Sequence, residues 1–205
     1  ADWRDAEAVR ARLLHEVPKY GNDDPEADAV AARVLAHFCR EVVAHRNVRG
    51  GSFWPGVFSV GFHVAMAPLT GASADGRRAF LPVSEGISPV QGADRRGPTA
   101  VACSAAKMDH VRTGGTLLNM KFAPSLLETD DGVEKLAHLV RGYFRMDGHH
   151  VQFNVVRAET LREAQARPED YRGLIVRVAG YSDYFCDLST ALQDEIIART
   201  EHGGF

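Results

Sequence analysis

Near its C-terminus the chain reads Arg177-Val178-Ala179-Gly180-Tyr181-Ser182-Asp183-Tyr184-Phe185. The apolar run Leu174, Ile175 and Val176 leads into this stretch and predicts a buried strand from Leu174 to Val178. Beyond it, Leu188, Leu192 and Ile196 recur at helical spacing in a last helix that ends in Arg199-Thr200-Glu201-His202. A strand, a glycine loop and a terminal helix together are expected to carry the Gly180 backbone deep into the interior. Helices and strands are thus mixed along the chain; the assignment to an α/β class, as an α+β fragment, rests on the resemblance given below.

Working outward, Val151, Phe153 and Val155 alternate as in a strand. Asp131-Gly132-Val133-Glu134 and Thr160-Leu161-Arg162-Glu163 have the spacing of capping boxes. The first predicts a helix carrying Leu136, Val140 and Phe144, the second a short helix stopping before Pro168. Ala6, Val9, Leu13 and Val17 predict a helix near 4–16. Asp24 is placed to cap another, with Pro25 at its first position and Ala27, Val30, Val34, Phe38 and Val42 on its apolar face, running to about His45. From Phe53 to Val64 the alternation predicts a strand, with Phe58, Val60, Phe62 and Val64 on one face and Ser59, Gly61 and His63 on the other. Residues 67–120 are rich in Gly, Pro, Ser, Thr and Asp and show few periodic apolar runs, in a stretch too long for a simple loop.

The 205 residues are 45% hydrophobic and 25% charged, a globular composition able to bury a core. A net charge of −3, with basic residues scattered among acidic ones, gives no electrostatic case for nucleic acid. No apolar run approaches a membrane span and no signal peptide is visible, so a cytoplasmic location is expected. Cys39, Cys103 and Cys186 are too few and too dispersed for a disulfide framework or a metal site, and read as small buried residues. His149 and His150 are adjacent, point to opposite faces of a strand, and carry no metal expectation. The absence of an initiator Met is compatible with processing or with a piece of a longer polypeptide.

Five further passages, with the Gly180 stretch, resemble the glycyl radical enzymes of the pyruvate formate-lyase superfamily. They are Pro18-Lys19-Tyr20-Gly21-Asn22-Asp23-Asp24, Arg49-Gly50-Gly51-Ser52-Phe53-Trp54-Pro55-Gly56, Gly86-Ile87-Ser88-Pro89-Val90-Gln91-Gly92 with Gly97-Pro98-Thr99-Ala100, Leu117-Leu118-Asn119-Met120-Lys121-Phe122, and Gly148-His149-His150-Val151-Gln152-Phe153-Asn154-Val155-Val156. Each word alone is weak; their order is that of the family. The resemblance implies the last elements of a ten-stranded α/β barrel over residues 1–84 and a C-terminal glycine radical domain over residues 85–205. It also implies an organic radical on Gly180, installed after translation by an activase that uses S-adenosylmethionine and an iron–sulfur cluster, with no other cofactor bound. Glycine suits that chemistry, because an α-carbon radical is stabilised by flattening into conjugation with both flanking amides, and glycine has no Cβ to clash.

In the family the glycyl radical oxidises a cysteine to a thiyl, which takes hydrogen from the substrate. That cysteine sits in a Gly-Cys-Val-Glu-like word, which this chain lacks, so the resemblance implies a partner portion carrying it, in the same chain or a separate subunit. A small-molecule substrate and a homodimer are implied for the complete enzyme. Arg177, with five donors in a fixed fork, is the expected anchor of the loop, pinning backbone carbonyls or a carboxylate, with Tyr181 and Ser182 supporting it. Candidate substrate-pocket residues are Trp54, Phe58, Val60, Phe62 and His63; a hydrogen-bonded structural role is the competing reading of His63. Cys186, six positions after Gly180, is read as packing and not as the radical partner.

Ser182 after Gly180-Tyr181, where pyruvate formate-lyase has Ala, and the strand word His-Val-Gln-Phe-Asn-Val-Val look more like the eliminating and decarboxylating branches. These expel a leaving group or cleave C–C, C–N or C–S bonds. Two alternatives stay open: a stand-alone glycyl radical cofactor protein that rescues an oxygen-damaged enzyme, and formate acetyltransferase proper.

Overall fold

The computed structural model describes residues 2–205. Helix α1 (Glu7–His15) follows a short 3-10 turn. Helix α2 (Pro25–Ala44) starts where the capping pattern places it: the Asp24 carboxylate accepts from the amides of Glu26 and Ala27, both at 3.1 Å. Its apolar stripe is rotated from expectation. Leu35 and Cys39 are buried, whereas Val30, Val34 and Phe38 stay exposed, so the expected apolar face is left largely uncovered.

The strand expected over Phe53–Val64 does not form. Val57 makes a single bridge to Thr116, donating to Gly115 O at 2.9 Å and accepting from Leu117 N at 3.1 Å. Val60 (φ +56°) and Gly61 (φ +122°) then turn the chain into a one-turn helix α3 (Phe62–Ala65). An alternating pattern makes a strand only when a neighbouring strand satisfies its amides, and among the described residues the strand-like pairing of this segment stops at Pro55 and Val57, which bond to residues 114–117.

Helix α4 (Gly97–Ala106) lies inside the Gly/Pro-rich stretch and has no amphipathic signature. Val101, Ala102, Ser104 and Ala105 are all buried, and a helix covered on several sides shows no stripe. Gly86 is needed for the neighbouring crossing: at φ +54° a Cβ there would stand 2.5 Å from Leu117 O.

Strand β1 (Asn119–Phe122), helix α5 (Asp130–Arg145) and strand β2 (Gln152–Val155) form a parallel βαβ unit, Asn119 opposite Gln152 and Phe122 opposite Val155. The cap of α5 is Thr129, which accepts from Gly132 N, two residues before the expected box. Its inner face is Leu136, Leu139 and Tyr143, while Phe144 is exposed. Helix α6 (Ala158–Ala166) begins before Thr160, its Ala158 amide held by the Glu201 carboxylate at 2.7 Å. Strand β3 (Ile175–Arg177) and strand β4 (Ser182–Tyr184) form an antiparallel hairpin around Gly180. Helix α7 (Thr190–Ala198) ends earlier than expected. Glu201–His202 is a strand, β5, parallel to β1 on the side away from β2.

Two larger cores, with a small cluster of Leu35, Cys39 and Met108 under α2, hold this together. One packs Ile87, Val101, Ala105, Leu118, Met120, Phe122 and Tyr143 between α4, α5 and the sheet. The other packs Leu161, Ala164, Val176, Val178, Phe185 and Ile196 between α6, α7 and the hairpin. Burying a Leu161, Phe185 or Ile196 side chain stabilises by about 1.5–3 kcal/mol. Among the described residues no helix is long and apolar enough to cross a membrane, and no cluster of three or more His, Cys, Asp or Glu is arranged to hold a metal.

Candidate functional site: the Gly180 loop

The loop Val178–Tyr181 joins β3 to β4 and is closed by Val178 N donating to Tyr181 O at 2.9 Å. Val178 and Ala179 are sealed into the α6–α7 core, at 0% and 1% exposure. Gly180, at φ +85°, passes outside them. Contrary to the expectation of a deeply buried glycine, it lies exposed on this chain. The physical reason is local: the core draws in the two residues before it, and among the described residues only Leu117 comes near the position of a Cβ at Gly180. A Cβ at Gly180 would stand 3.3 Å from Leu117 Cδ1, a flexible methyl, so the backbone angle rather than space demands glycine.

A polar lattice lies on the inner side of the loop. Arg177 donates through Nε (3.0 Å) and Nη2 (2.6 Å) to Gln152 Oε1, and through Nη1 to Ser182 Oγ at 3.1 Å. Its backbone is held by one side chain: Arg177 N donates to Asn154 Oδ1 and Asn154 Nδ2 donates to Arg177 O, both 2.8 Å. Gln152 Nε2 donates in turn to Asn119 Oδ1, and Asn119 Nδ2 to Glu85 Oε2. Glu85 is buried, and burial pushes its carboxyl up against the pull of Arg199 and its hydrogen bonds.

The pinning of backbone carbonyls expected of Arg177 falls to Arg199. Its Nη1 donates to Arg177 O at 3.3 Å and its Nη2 to Val178 O at 3.0 Å. Glu195, one helical turn back, grips the same guanidinium at 2.8 to 3.2 Å and accepts from Gln91 Nε2 at 2.9 Å. His63 Nε2 faces Glu195 Oε2 at 3.2 Å, and Ser59 Oγ lies 2.8 Å from its Nδ1. Burial pulls the Glu195 carboxyl up, but His63 and the Arg199 charge outweigh it and hold the group down to about 2.

Tyr181 is half-buried against the α6–α7 core, burial pushing its phenol up, and Ser182 is exposed. The structure does not gather the candidate pocket residues. Trp54, Phe58, Val60 and Phe62 are 49–69% exposed, and His63 is withdrawn beneath them at 2%. None of the five lines the cavity between α2 and the Gly86–Ala93 connection or the small one beside Glu85 and Glu195. Cys186 packs against the α6–α7 core with Sγ 3.5 Å from Tyr171 O, and burial pushes its thiol up. Gln152, Asn154, Glu195 and Arg199 were not anticipated. For the first two the signal was present: they are the polar alternates of β2, and that face, not the apolar one, turns toward the loop and is buried.

A family model described as Glycine radical matches residues 83–186, a span that includes the whole Gly180 loop. The chain belongs to the glycine radical family. A second family model, Pyruvate formate lyase-like, matches residues 1–67. The chain is similar to the trans-4-hydroxy-L-proline dehydratase of Clostridioides difficile, 50% identical over 98% of this chain and 26% of that protein. The crystal structure of that organism's hydroxyproline dehydratase with substrate bound superposes with a TM-score of 0.95 at 49% identity, covering 98% of this chain and 26% of that one. The glycerol-bound glycerol dehydratase of Clostridium butyricum gives 0.95 at 46%, covering 99% of this chain and 26% of that one. The chain thus spans about a quarter of the length of these glycyl radical relatives.

Proposed function

We propose that this chain is the radical-bearing portion of a glycyl radical enzyme of the dehydratase and lyase branches, with Gly180 as the radical residue. Residues 1–84 serve as late barrel elements and residues 85–205 as the radical domain. The observation that carries the reading is the loop itself: a glycine at φ +85° on the tip of a hairpin whose preceding backbone is held by Asn154 and Arg199. An activase using S-adenosylmethionine and an iron–sulfur cluster removes one hydrogen atom from Gly180 Cα, leaving the spin delocalised over the two adjoining amides. The Gly180 radical then takes a hydrogen atom from a cysteine thiol outside this chain. The resulting thiyl abstracts hydrogen from a small substrate, which eliminates an adjacent group or undergoes C–C, C–N or C–S cleavage.

The chain's own residues orient and hold the loop; Arg177 and Ser182 brace the hairpin and Tyr181 anchors its far side. Similarity to two dehydratases supports elimination over acyl transfer to coenzyme A, and Ser182 after Gly180-Tyr181 points the same way. The cytoplasm, an activase and a homodimeric complete enzyme belong to this reading. The test is electron spin resonance of the complete enzyme after anaerobic incubation with its activase, S-adenosylmethionine and reductant. A doublet is expected, and Gly180→Ala removes it with the fold retained. A doublet of full intensity in the Ala variant overturns the assignment.

A further inference from the structure

We infer that Arg199, aimed by Glu195 and His63, is the positioning residue that sets the Gly180 loop, and that through it the Trp54–His63 segment and the loop move as one unit. This rests on the radical assignment to Gly180, and it concerns residues beyond the loop word itself.

Arg199 is the one guanidinium described as donating to main-chain carbonyls of the residues leading into Gly180, at Arg177 and Val178. Those carbonyls lie three and two residues before the radical carbon; Asn154 shares the first, and among the described side chains Arg199 alone holds the second, the nearer one to Gly180. The clamp is built rather than incidental. The side chains of His63, Glu195 and Arg199 are 0%, 1% and 9% exposed. Four separate parts of the chain meet there: α3 through His63, the Gly86–Gly92 connection through Gln91, helix α7 through Glu195, and the hairpin through its carbonyls.

A planar fork held on one side by a carboxylate and on the other by two carbonyls has a single productive orientation, which an ammonium would not reproduce. Loss of Glu195 would leave a guanidinium with two neutral acceptors in a buried site, and loss of His63 would remove the neighbour of Glu195 Oε2 and leave the carboxylate to Arg199 and Gln91. His63 also sits one residue after Phe62 and three after Val60, both exposed on the open face. The same side-chain chain therefore links whatever packs on that face to the geometry of the loop. Productive hydrogen transfer requires reacting atoms within about 3–3.5 Å, and a misplacement near 1 Å costs on the order of 10²-fold. A loop clamp is thus a rate-determining part even though it touches no reacting atom.

The experiment compares the complete wild-type enzyme with R199Q, R199K, E195Q and H63Q. Amide hydrogen exchange of the unactivated proteins reads the loop directly. In R199Q the amides of residues 179–181 should exchange at least tenfold faster, with β1 and β2 amides unchanged and R199K intermediate. After activation, turnover per spin should fall at least tenfold in R199Q and severalfold in E195Q and H63Q, with KM changed less than twofold. Wild-type loop exchange in R199Q, or unchanged turnover per spin, overturns the clamp. A wild-type enzyme that gives no Gly180 doublet instead overturns the proposed function, while the exchange data still decide the clamp.

Discussion

Asn154 pairs with Arg177 as though it were a strand backbone: its side-chain amide accepts from Arg177 N and donates to Arg177 O, both at 2.8 Å. Strand β2 thereby reaches the hairpin without a main-chain ladder between them. Gln152, two residues earlier on the same face, holds the Arg177 guanidinium. The polar face of β2 is thus the seat of the loop.

Replacing Asn154 by Leu keeps the volume but strands the Arg177 amide and leaves the Arg177 carbonyl to Arg199 Nη1 alone, so it should destabilise by about 1–3 kcal/mol in urea unfolding. Asn154→Asp retains the acceptor and sets an oxyanion against Arg177 O. It should be worse than Leu at neutral pH and partly recover in mild acid, where the carboxyl protonates. A neutral effect of both variants would mean that the hairpin is held without this pair.

Cys186 is expected to be a bystander. Its thiol is pushed up by burial and sits among Ala164, Tyr171 and the α6–α7 core, so the nucleophilic thiolate is disfavoured. Cys186→Ala in the complete enzyme should leave the doublet and the turnover within twofold of wild type. The isolated 205-residue chain should turn over no substrate, and turnover by it that vanishes in Cys186→Ala would make Cys186 the radical partner.

Oxygen should cut the activated protein at Gly180, releasing a fragment of residues 181–205. The structure shows how much leaves with it: β4, all of α7 with Leu192 and Ile196, and β5, which borders β1. Buried Lys121 also loses the Ile197 carbonyl, its acceptor at 2.9 Å. Each apolar side chain lost forfeits about 1.5–3 kcal/mol, so the remainder should unfold at markedly lower temperature. Mass spectrometry of an air-quenched sample decides the point, and cleavage elsewhere would place the spin on another residue.

His202 supplies an acid sensitivity. Burial, and then the Lys121 charge, push its imidazole down to about 4 from 6.5. As pH falls below 6.5 the unfolded chain binds a proton that the native state refuses, so stability drops through the window from about 6.5 to about 4. The loss approaches roughly 3 kcal/mol at the acid end, at 1.36 kcal/mol per pH unit. Asp94, 3.4 Å from His202, has its carboxyl pushed up by burial and offsets part of that loss near pH 4. His202→Gln should flatten the profile between pH 6.5 and 4.5 in urea titrations; an unaltered slope would assign the sensitivity to other groups.

Features with a local cause were legible in the residues alone. Asp24 and Pro25 start α2 because a short acceptor and a preset φ are properties of those two residues. The run from Leu174 declared β3, and the word around Gly180 identified the family and the radical residue to propose. The remaining features depend on partners far apart in the chain. The alternating Phe53–Val64 segment becomes a turn and a short helix because its strand-like pairing among the described residues ends at Val57. Helix α4 escaped notice because packing on several sides erases the stripe that periodicity detects. Glu201–His202 reads as the tail of a helix until β1 offers it an edge. Arg199 gives no local sign of its role: it reaches the loop carbonyls only after α7 folds back across the hairpin and Glu195 and His63, 132 positions apart in the chain, fix its direction.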